Sequence, residues 1–182
     1  MNEEKNLSTE ETIALAVQNH KKNNFKEAEI LYRKILNINP DHFGAISLLG
    51  TLSAQTKNFD SAIQLLQKAI QINPQHPEAH YNLGIVFKEL GEHQKAISCC
   101  EKAIHIHPNY VEAHNNLGAL FNKLKEFQKA KSCYEKAIQI QPNYVEAHYN
   151  LGIVFKELGE HQKAISCYEK AIEINPNYAD AY

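Results

Sequence analysis

The chain has 182 residues, with 19 basic and 21 acidic side chains, and its formal net charge is −2. All basic residues except Arg33 are lysines, and this balance gives no positive patch for nucleic acid or for an anionic membrane surface. No apolar run approaches the roughly 18 residues of a membrane span, and residues 1–6 lack the apolar core of a signal peptide. We therefore expect a cytoplasmic protein that binds neither nucleic acid nor a membrane.

Five prolines recur at a constant interval of 34 residues, and each ends a variant of the pattern Ala-Ile-x-Ile-x-Pro. They are Pro40, Pro74, Pro108, Pro142 and Pro176. A fixed period of this length indicates a supersecondary unit that must stack on its neighbours to bury its apolar face. With only 7 glycines and no tryptophan in the chain, the sequence predicts an all-α solenoid.

Alignment on the prolines divides the chain into segments. It predicts an N-terminal lead with a helix cap at 1–8, five repeats at 9–42, 43–76, 77–110, 111–144 and 145–178, and the start of a sixth repeat at 179–182. The run Ser8-Thr9-Glu10-Glu11 has the pattern of a capping box at the start of the first repeat.

Each repeat carries two stretches of apolar or small residues at helical spacing, which predicts two amphipathic helices. Breakers such as Leu90-Gly91-Glu92 and Leu158-Gly159-Glu160 separate them, and each proline step ends the second helix. Asn109 and Asn143 precede Glu112 and Glu146 by three residues. This spacing predicts that the two asparagines cap the helices that follow.

The later repeats carry a recognisable signature of Leu-Gly, aromatic, Ala, Ala and Pro. It is found at Leu83-Gly84, Phe87, Ala96, Ala103 and Pro108, at Leu117-Gly118, Phe121, Ala130, Ala137 and Pro142, and at Leu151-Gly152, Phe155, Ala164, Ala171 and Pro176. This pattern resembles the tetratricopeptide repeat (TPR) family over nearly the whole chain. The resemblance implies a right-handed superhelical solenoid of antiparallel helix pairs and a role in protein–protein interaction.

Three asparagines, Asn82, Asn116 and Asn150, stand at the sixth position of successive repeats. In solenoids of helix pairs the first helices line the concave surface, so we expect these amides to project into a groove. Packed helices lie about 8–10 Å apart and an extended chain advances about 3.3 Å per residue, so the amides would meet a peptide once every three residues or so. An amide offers a donor and an acceptor to a peptide group.

The predicted groove also carries flanking side chains of mixed polarity. They are Tyr81, Asn115 and Tyr149 beside the asparagines, Lys88, Asn122 and Lys156 further along, and Glu78, Glu112 and Glu146 at the mouth. The simpler interpretation of the three glutamates is that they stabilise helix N-termini. Relatives that hold a chaperone carboxyl terminus have Lys and Asn at the fifth and ninth positions. Here those positions hold Tyr81 and Ile85, Asn115 and Ala119, and Tyr149 and Ile153, so we expect no carboxylate clamp.

We therefore predict a non-enzymatic scaffold that binds an extended protein or peptide segment through the asparagine column. The competing interpretation is that these asparagines are solvated helix residues multiplied by repeat duplication, since residues 78–99 and 146–167 are identical. The pattern Ala-His-x-Asn-Leu also resembles the repeat region of O-linked N-acetylglucosamine transferases and related bacterial glycosyltransferases. That resemblance implies the alternative of a substrate-recognition arm of a larger enzyme.

Cysteines and histidines give no convincing cofactor site, and we expect no metal or cofactor. Cys99, Cys133 and Cys167 recur at the 34-residue interval, too far apart for disulfides, and lack the close pairing of a zinc or redox site. His76 with His80, and His105 with His107, have metal-compatible spacing, but packing or surface roles are favoured. His80, His114 and His148 occupy the position of the family's early tryptophan.

The last complete helix is predicted to expose Ile165, Tyr168, Ala171 and Ile172. An apolar solenoid end of this kind promotes association. We therefore expect copies of this chain to associate end to end.

Overall fold

The structure is a computed structural model that describes residues 7–178, and these residues form ten α-helices and no strand. The helices are α1 (Thr9–Lys21), α2 (Phe25–Ile38), α3 (Phe43–Gln55), α4 (Phe59–Ile72), α5 (Pro77–Glu89), α6 (His93–Ile106), α7 (Val111–Lys123), α8 (Phe127–Ile140), α9 (Val145–Glu157) and α10 (His161–Ile174). The predicted start of a sixth repeat at 179–182 lies outside the described residues, as does most of the predicted lead.

The chain divides into two compact units, Met1–Leu90 and Gly91–Tyr182. The N-terminal unit contains α1–α5, and within it α1 packs on α2, α3 packs on α4, and α4 also packs on α5. Its core forms where Ala16, Tyr32 and Leu49 meet, and a second cluster gathers Ile46 and Ala79. Small residues such as Ala16 and Ala28 leave room between the helices, and the ring of Tyr32 from α2 fills it.

The C-terminal unit contains α6–α10, in which α7 pairs with α8 and α9 pairs with α10. Glycine makes these pairings possible. A Cβ atom at Gly118 would lie 2.7 Å from Cε1 of Tyr134, and one at Gly152 would lie 2.5 Å from Cε1 of Tyr168. The absence of a side chain at each glycine therefore leaves space for a tyrosine ring from the second helix of the pair.

The capping box predicted at the start of α1 is confirmed. The Glu11 backbone N–H donates to Ser8 Oγ at 3.2 Å, and the Ser8 N–H donates to Glu11 Oε2 at 2.8 Å. Each second helix ends two residues before its proline, as the proline period predicts. These ends fall at Ile38, Ile72, Ile106, Ile140 and Ile174.

The predicted caps at Asn109 and Asn143 are wrong. The N-cap residues of α7 and α9 are Tyr110 and Tyr144, and neither caps its helix through its side chain. The reason is a turn, closed by a bond from the Tyr110 N–H to the His107 carbonyl at 3.1 Å, which places Asn109 outside the helix. In the N-terminal unit, the repeat position of Tyr110 and Tyr144 is occupied by His42 and His76. These histidines do cap their helices, because Nδ1 of each ring accepts a helix N–H.

The turns inside the repeats share one backbone feature, a residue with positive φ. The five residues are Asn23, Lys57, Gly91, Lys125 and Gly159, with φ between 60° and 76°. This confirms the predicted breakers at Gly91 and Gly159. A Cβ at either glycine would meet nothing within 4 Å, so glycine is favoured there for its backbone freedom and not for space.

Candidate functional site

The predicted binding residues lie on α5, α7 and α9, which are the first helices of the third, fourth and fifth predicted repeats. We call the surface formed by α1, α3 and α5 the N-terminal first-helix face, and the surface formed by α7 and α9 the C-terminal first-helix face. Side-chain hydrogen bonds between successive first helices run across each face, and they define the candidate site.

On the N-terminal first-helix face, Asn82 is held by its neighbour. Its Nδ2 on α5 donates to Thr51 Oγ1 on α3 at 2.9 Å, and the Thr51 hydroxyl donates to the Ser47 carbonyl at 3.0 Å. Asn82 is half-buried, so it is not simply a solvated helix residue. An amide has two N–H donors and an acceptor oxygen, and the bond to Thr51 uses one of these donors.

A second bridge on the same face joins α1 to α3. His20 Nε2 lies 2.8 Å from Gln55 Oε1, and His20 Nδ1 lies 3.3 Å from the Tyr32 hydroxyl. Burial raises the pKa of Tyr32 to about 12. Because an amide oxygen only accepts, the Nε2–H of His20 donates to Gln55 Oε1.

On the C-terminal first-helix face, Asn150 Nδ2 on α9 donates to Asn115 Oδ1 on α7 at 3.1 Å. Both side chains are half-buried, as is Asn116 on α7. The structure therefore brings Asn115 and Asn150 together, and the partner of Asn150 is a flanking residue of the predicted groove.

The other predicted flanking residues differ in their surroundings. Tyr149 packs against Tyr168 and Tyr178, with ring centroids 5.7 and 5.5 Å away. Its ring is thus engaged within the C-terminal unit. Tyr81 and Lys88 on α5 and Asn122 on α7 are half-buried, whereas Lys156 on α9 is exposed.

The glutamates at the predicted mouth lie in the first turns of their helices, as the simpler interpretation expects. Glu78 Oε2 lies 3.4 Å from Nε2 of His76. Burial raises the pKa of Tyr144 to about 12, helped by the negative charges of Glu146 and Glu112. These two carboxylates therefore share the neighbourhood of one tyrosine.

The three histidines at the family's tryptophan position have a common structural role. Nε2 of His80, His114 and His148 lies 3.0, 2.9 and 2.8 Å from the carbonyl oxygen of Pro74, Pro108 and Pro142 respectively. Each ring thus donates a hydrogen bond to the backbone at the end of the preceding second helix. It stabilises the junction between two repeats, a role that a purely apolar ring would not provide.

The four cysteines are free thiols, and burial raises the pKa of Cys99, Cys133 and Cys167. Burial, with a smaller effect from Glu101, raises the pKa of Cys133 to about 11, so this thiol is protonated at neutral pH and unreactive. It lines a cleft of about 500 Å³ between second helices, together with His105 and Lys136. Among the described residues, no three histidine, cysteine or acidic side chains stand close enough to hold a metal ion.

Thr51, His20 and Gln55 were not predicted from the sequence. The signal was weak because they do not recur. Thr51 stands at the ninth position of its repeat, where later repeats have Ile85 and Ala119. The ninth position lies three residues after the asparagine position, on the same face of the helix, and it is apolar in every other repeat. The polar residue at this position in the second repeat was therefore the available signal for Thr51.

The comparisons with known proteins identify the family. Residues 77–110, 111–144 and 145–178 each match the model of the tetratricopeptide repeat, and together they cover more than half of the chain. A further TPR repeat model matches residues 52–91, and another tetratricopeptide repeat model matches residues 15–42. The chain therefore belongs to the tetratricopeptide repeat family, whose members are protein-interaction scaffolds.

Solved structures confirm the predicted all-α fold of antiparallel helix pairs. A crystal structure of MamA is 27% identical, with a TM-score of 0.80 over 90% of this chain and 96% of that chain. PilF of Pseudomonas aeruginosa is 19% identical, with a TM-score of 0.86 over 95% of this chain and 79% of its own. YrrB, described as a TPR protein with an unusual peptide-binding site, is 22% identical, with a TM-score of 0.74 over 96% and 90%.

No curated protein sequence matches the chain significantly. In the part of the chain that the structure describes, no helix combines the length and the apolar character needed to cross a membrane.

Proposed function

We propose that this chain is a non-enzymatic scaffold that binds an extended peptide segment on its first-helix faces, with Asn82, Asn116 and Asn150 holding the peptide backbone. The observation that carries the proposal is the arrangement of Asn82. Its bond to Thr51 fixes the amide in one orientation, and the remaining N–H and the carbonyl oxygen are the two groups that a peptide unit needs. A side chain held in place before binding loses less entropy when the ligand arrives.

Asn150 supports the same proposal in the C-terminal unit. Its amide is fixed by the bond to Asn115, and one N–H and the carbonyl oxygen remain for a peptide unit, as in Asn82. YrrB, which shares the fold, is described as having a peptide-binding site. The likeness to YrrB is one of fold.

The proposal is tested with peptides selected from a random dodecapeptide display library against the wild-type chain. We expect the triple variant Asn82→Ala, Asn116→Ala, Asn150→Ala to bind a selected peptide more weakly by about 0.5–1.5 kcal/mol for each lost hydrogen bond. The measurement is isothermal titration calorimetry. The matched control replaces three exposed amides on second helices, Gln64, Gln94 and Gln162, by alanine.

A further control separates the contribution of the Asn82 amide from that of the hydrogen bond that orients it. Thr51→Val removes the bond that orients Asn82 but keeps the Asn82 amide. It should weaken binding less than Asn82→Ala does. Equal affinity of the wild type and the triple variant for every selected peptide would overturn the proposal.

A second candidate function is the substrate-recognition arm of a larger enzyme such as a protein glycosyltransferase. The observation that favours it is the pattern Ala-His-x-Asn-Leu at residues 79–83, 113–117 and 147–151. Sequencing of the gene beyond the codon of Tyr182 tests it. A catalytic domain in the same reading frame supports the enzyme arm, and a stop codon favours the scaffold.

Self-association is also proposed, through two surfaces that the repeat register makes complementary. Ile165 on α10 is 48% exposed, whereas Ile97 at the same repeat position is 4% exposed. Leu15 on α1 is 37% exposed, whereas Leu49 at its repeat position is 1% exposed. We propose that the Ile165 surface of one copy covers the Leu15 surface of another.

The structure changes the predicted composition of this surface. Ala171 is fully buried, because it lies on the side of α10 that packs inside the unit. Tyr168 and Ile172 are half-buried. Ile165 is therefore the main exposed apolar contact.

A further inference from the structure

A cleft of about 310 Å³ lies between α1 and α3 on the N-terminal first-helix face. Val17 and Leu48 supply its apolar walls, and His20, Lys21 and Gln55 are among its polar lining. The volume is at the lower end of the range of about 300–1,000 Å³ for small-ligand sites. It suits one side chain of a bound peptide.

The cleft lies beside the backbone-holding group proposed above. Thr51, the partner of Asn82, stands four residues before Gln55 on α3, so the two side chains are on the same face of that helix. A peptide held at Asn82 therefore passes within reach of the cleft.

The cleft offers hydrogen-bond donors to a ligand at Gln55 and Lys21. The His20 ring is used on both sides, by Gln55 Oε1 and by the Tyr32 hydroxyl. Because the Gln55 oxygen accepts from His20, the group that Gln55 can present is its Nε2 amide, with two N–H donors. Lys21 adds an ammonium group.

The charge of the cleft has one sign. Lys21 forms no ion pair with any residue between 7 and 178. None of the described residues that line the cleft is acidic. A carboxylate that enters meets a positive charge and N–H donors, whereas a lysine side chain would meet repulsion from Lys21.

We propose that this cleft binds the carboxylate side chain, glutamate or aspartate, of an extended peptide. The proposal rests on the proposed peptide-binding function and adds the chemistry of one ligand side chain. The aliphatic part of the ligand side chain packs between Val17 and Leu48, and its carboxylate pairs with Lys21 and with the Gln55 amide.

The test uses the isotope-labelled full chain and three tripeptides, acetyl-Ala-Glu-Ala-amide and its Gln and Lys counterparts. Titrations are followed by NMR at the side-chain amide of Gln55. We expect the Glu peptide to bind about two- to fivefold more tightly than the Gln peptide, as for a partly exposed ion pair. The Lys peptide should bind most weakly, and the differences should shrink as salt is added.

Two variants assign the preference to the cleft. Lys21→Gln should reduce the Glu-over-Gln preference to about onefold, whereas Lys22→Gln, a neighbouring lysine outside the lining, should leave it unchanged. Gln55→Glu keeps an acceptor for His20 but introduces a negative charge, and because it lacks the side-chain amide it is followed at the backbone amide of position 55. Because the added charge offsets that of Lys21, it should abolish the preference for the Glu peptide over the Lys peptide.

Three outcomes would overturn the proposal: no perturbation of Gln55 by the Glu peptide, equal affinity for the Glu and Gln peptides, or an undiminished preference in Lys21→Gln. The tripeptides are scored at Gln55 and the asparagine variants are scored with longer peptides. Loss of the cleft result with retention of the asparagine result therefore rejects this inference alone. The reverse pattern rejects the asparagine column and leaves the cleft standing.

Discussion

At the scale of single residues, the turns inside the repeats show the cost of a missing glycine. Lys57 and Lys125 adopt φ of 60° and 61°, the region in which Gly91 and Gly159 sit at 76°. A side chain with a Cβ pays about 1–2 kcal/mol for this conformation. Glycine avoids that cost but loses about 0.5–1 kcal/mol through the greater freedom of the unfolded chain.

The balance predicts that Lys125→Gly stabilises the chain by about 0.5–1 kcal/mol, since the relief of strain exceeds the entropic loss. Lys123→Gly is the matched control, because Lys123 is an exposed lysine at the end of α7 with helical geometry. It should destabilise the chain by about 0.5–1 kcal/mol. Urea unfolding followed by circular dichroism measures both, and a lower midpoint for Lys125→Gly would contradict the prediction.

At the scale of elements, the helix pairs of the C-terminal unit depend on glycine for a different reason. Gly118 faces the ring of Tyr134, which is 1% exposed and has little room to move. A methyl group there overpacks the contact between α7 and α8. The consequence is steric, in contrast to the conformational role of glycine in the turns.

We expect Gly118→Ala to destabilise the chain by about 1–3 kcal/mol. In the background of Tyr134→Ala, which removes the opposing ring, the same change should cost much less, because the added methyl group then meets open space. The double-mutant cycle is measured by chemical unfolding. Equal costs in the two backgrounds would show that the ring is not the cause.

The sequence predicted these elements well where a residue's effect is local. The prolines gave the ends of all five second helices, and Ser8 with Glu11 gave the start of α1, because both effects act within a few residues. The caps at Asn109 and Asn143 failed since the turn before each helix depends on a backbone bond that the residue pattern does not specify. Single-sequence patterns cannot distinguish an N-cap from a neighbouring turn residue.

The candidate site was predicted only in part, for a physical reason. The asparagine column follows from the 34-residue register, but the partners of Asn82 and Asn150 stand at the ninth and fifth positions of their repeats. Which side chain an amide reaches depends on the offset between packed helices, and the register alone does not supply that offset. The bridge from His20 to Gln55 was missed for the same reason.

At the scale of the whole molecule, the exposed residues Leu15 and Ile165 allow a decisive test of self-association. If the Ile165 surface covers the Leu15 surface, the contact is heterologous, and either Leu15→Lys or Ile165→Lys alone should abolish association, because each leaves no intact pair of surfaces. An equal mixture of the two variants restores one intact pair and should form dimers only.

Sedimentation velocity measures the result against the monomer mass of 20.7 kDa. Ser166→Lys is the control, because it adds the same charge at the neighbouring exposed residue. A wild-type chain that stays monomeric at high concentration would refute the proposal. Association of Leu15→Lys alone would show that like surfaces pair instead.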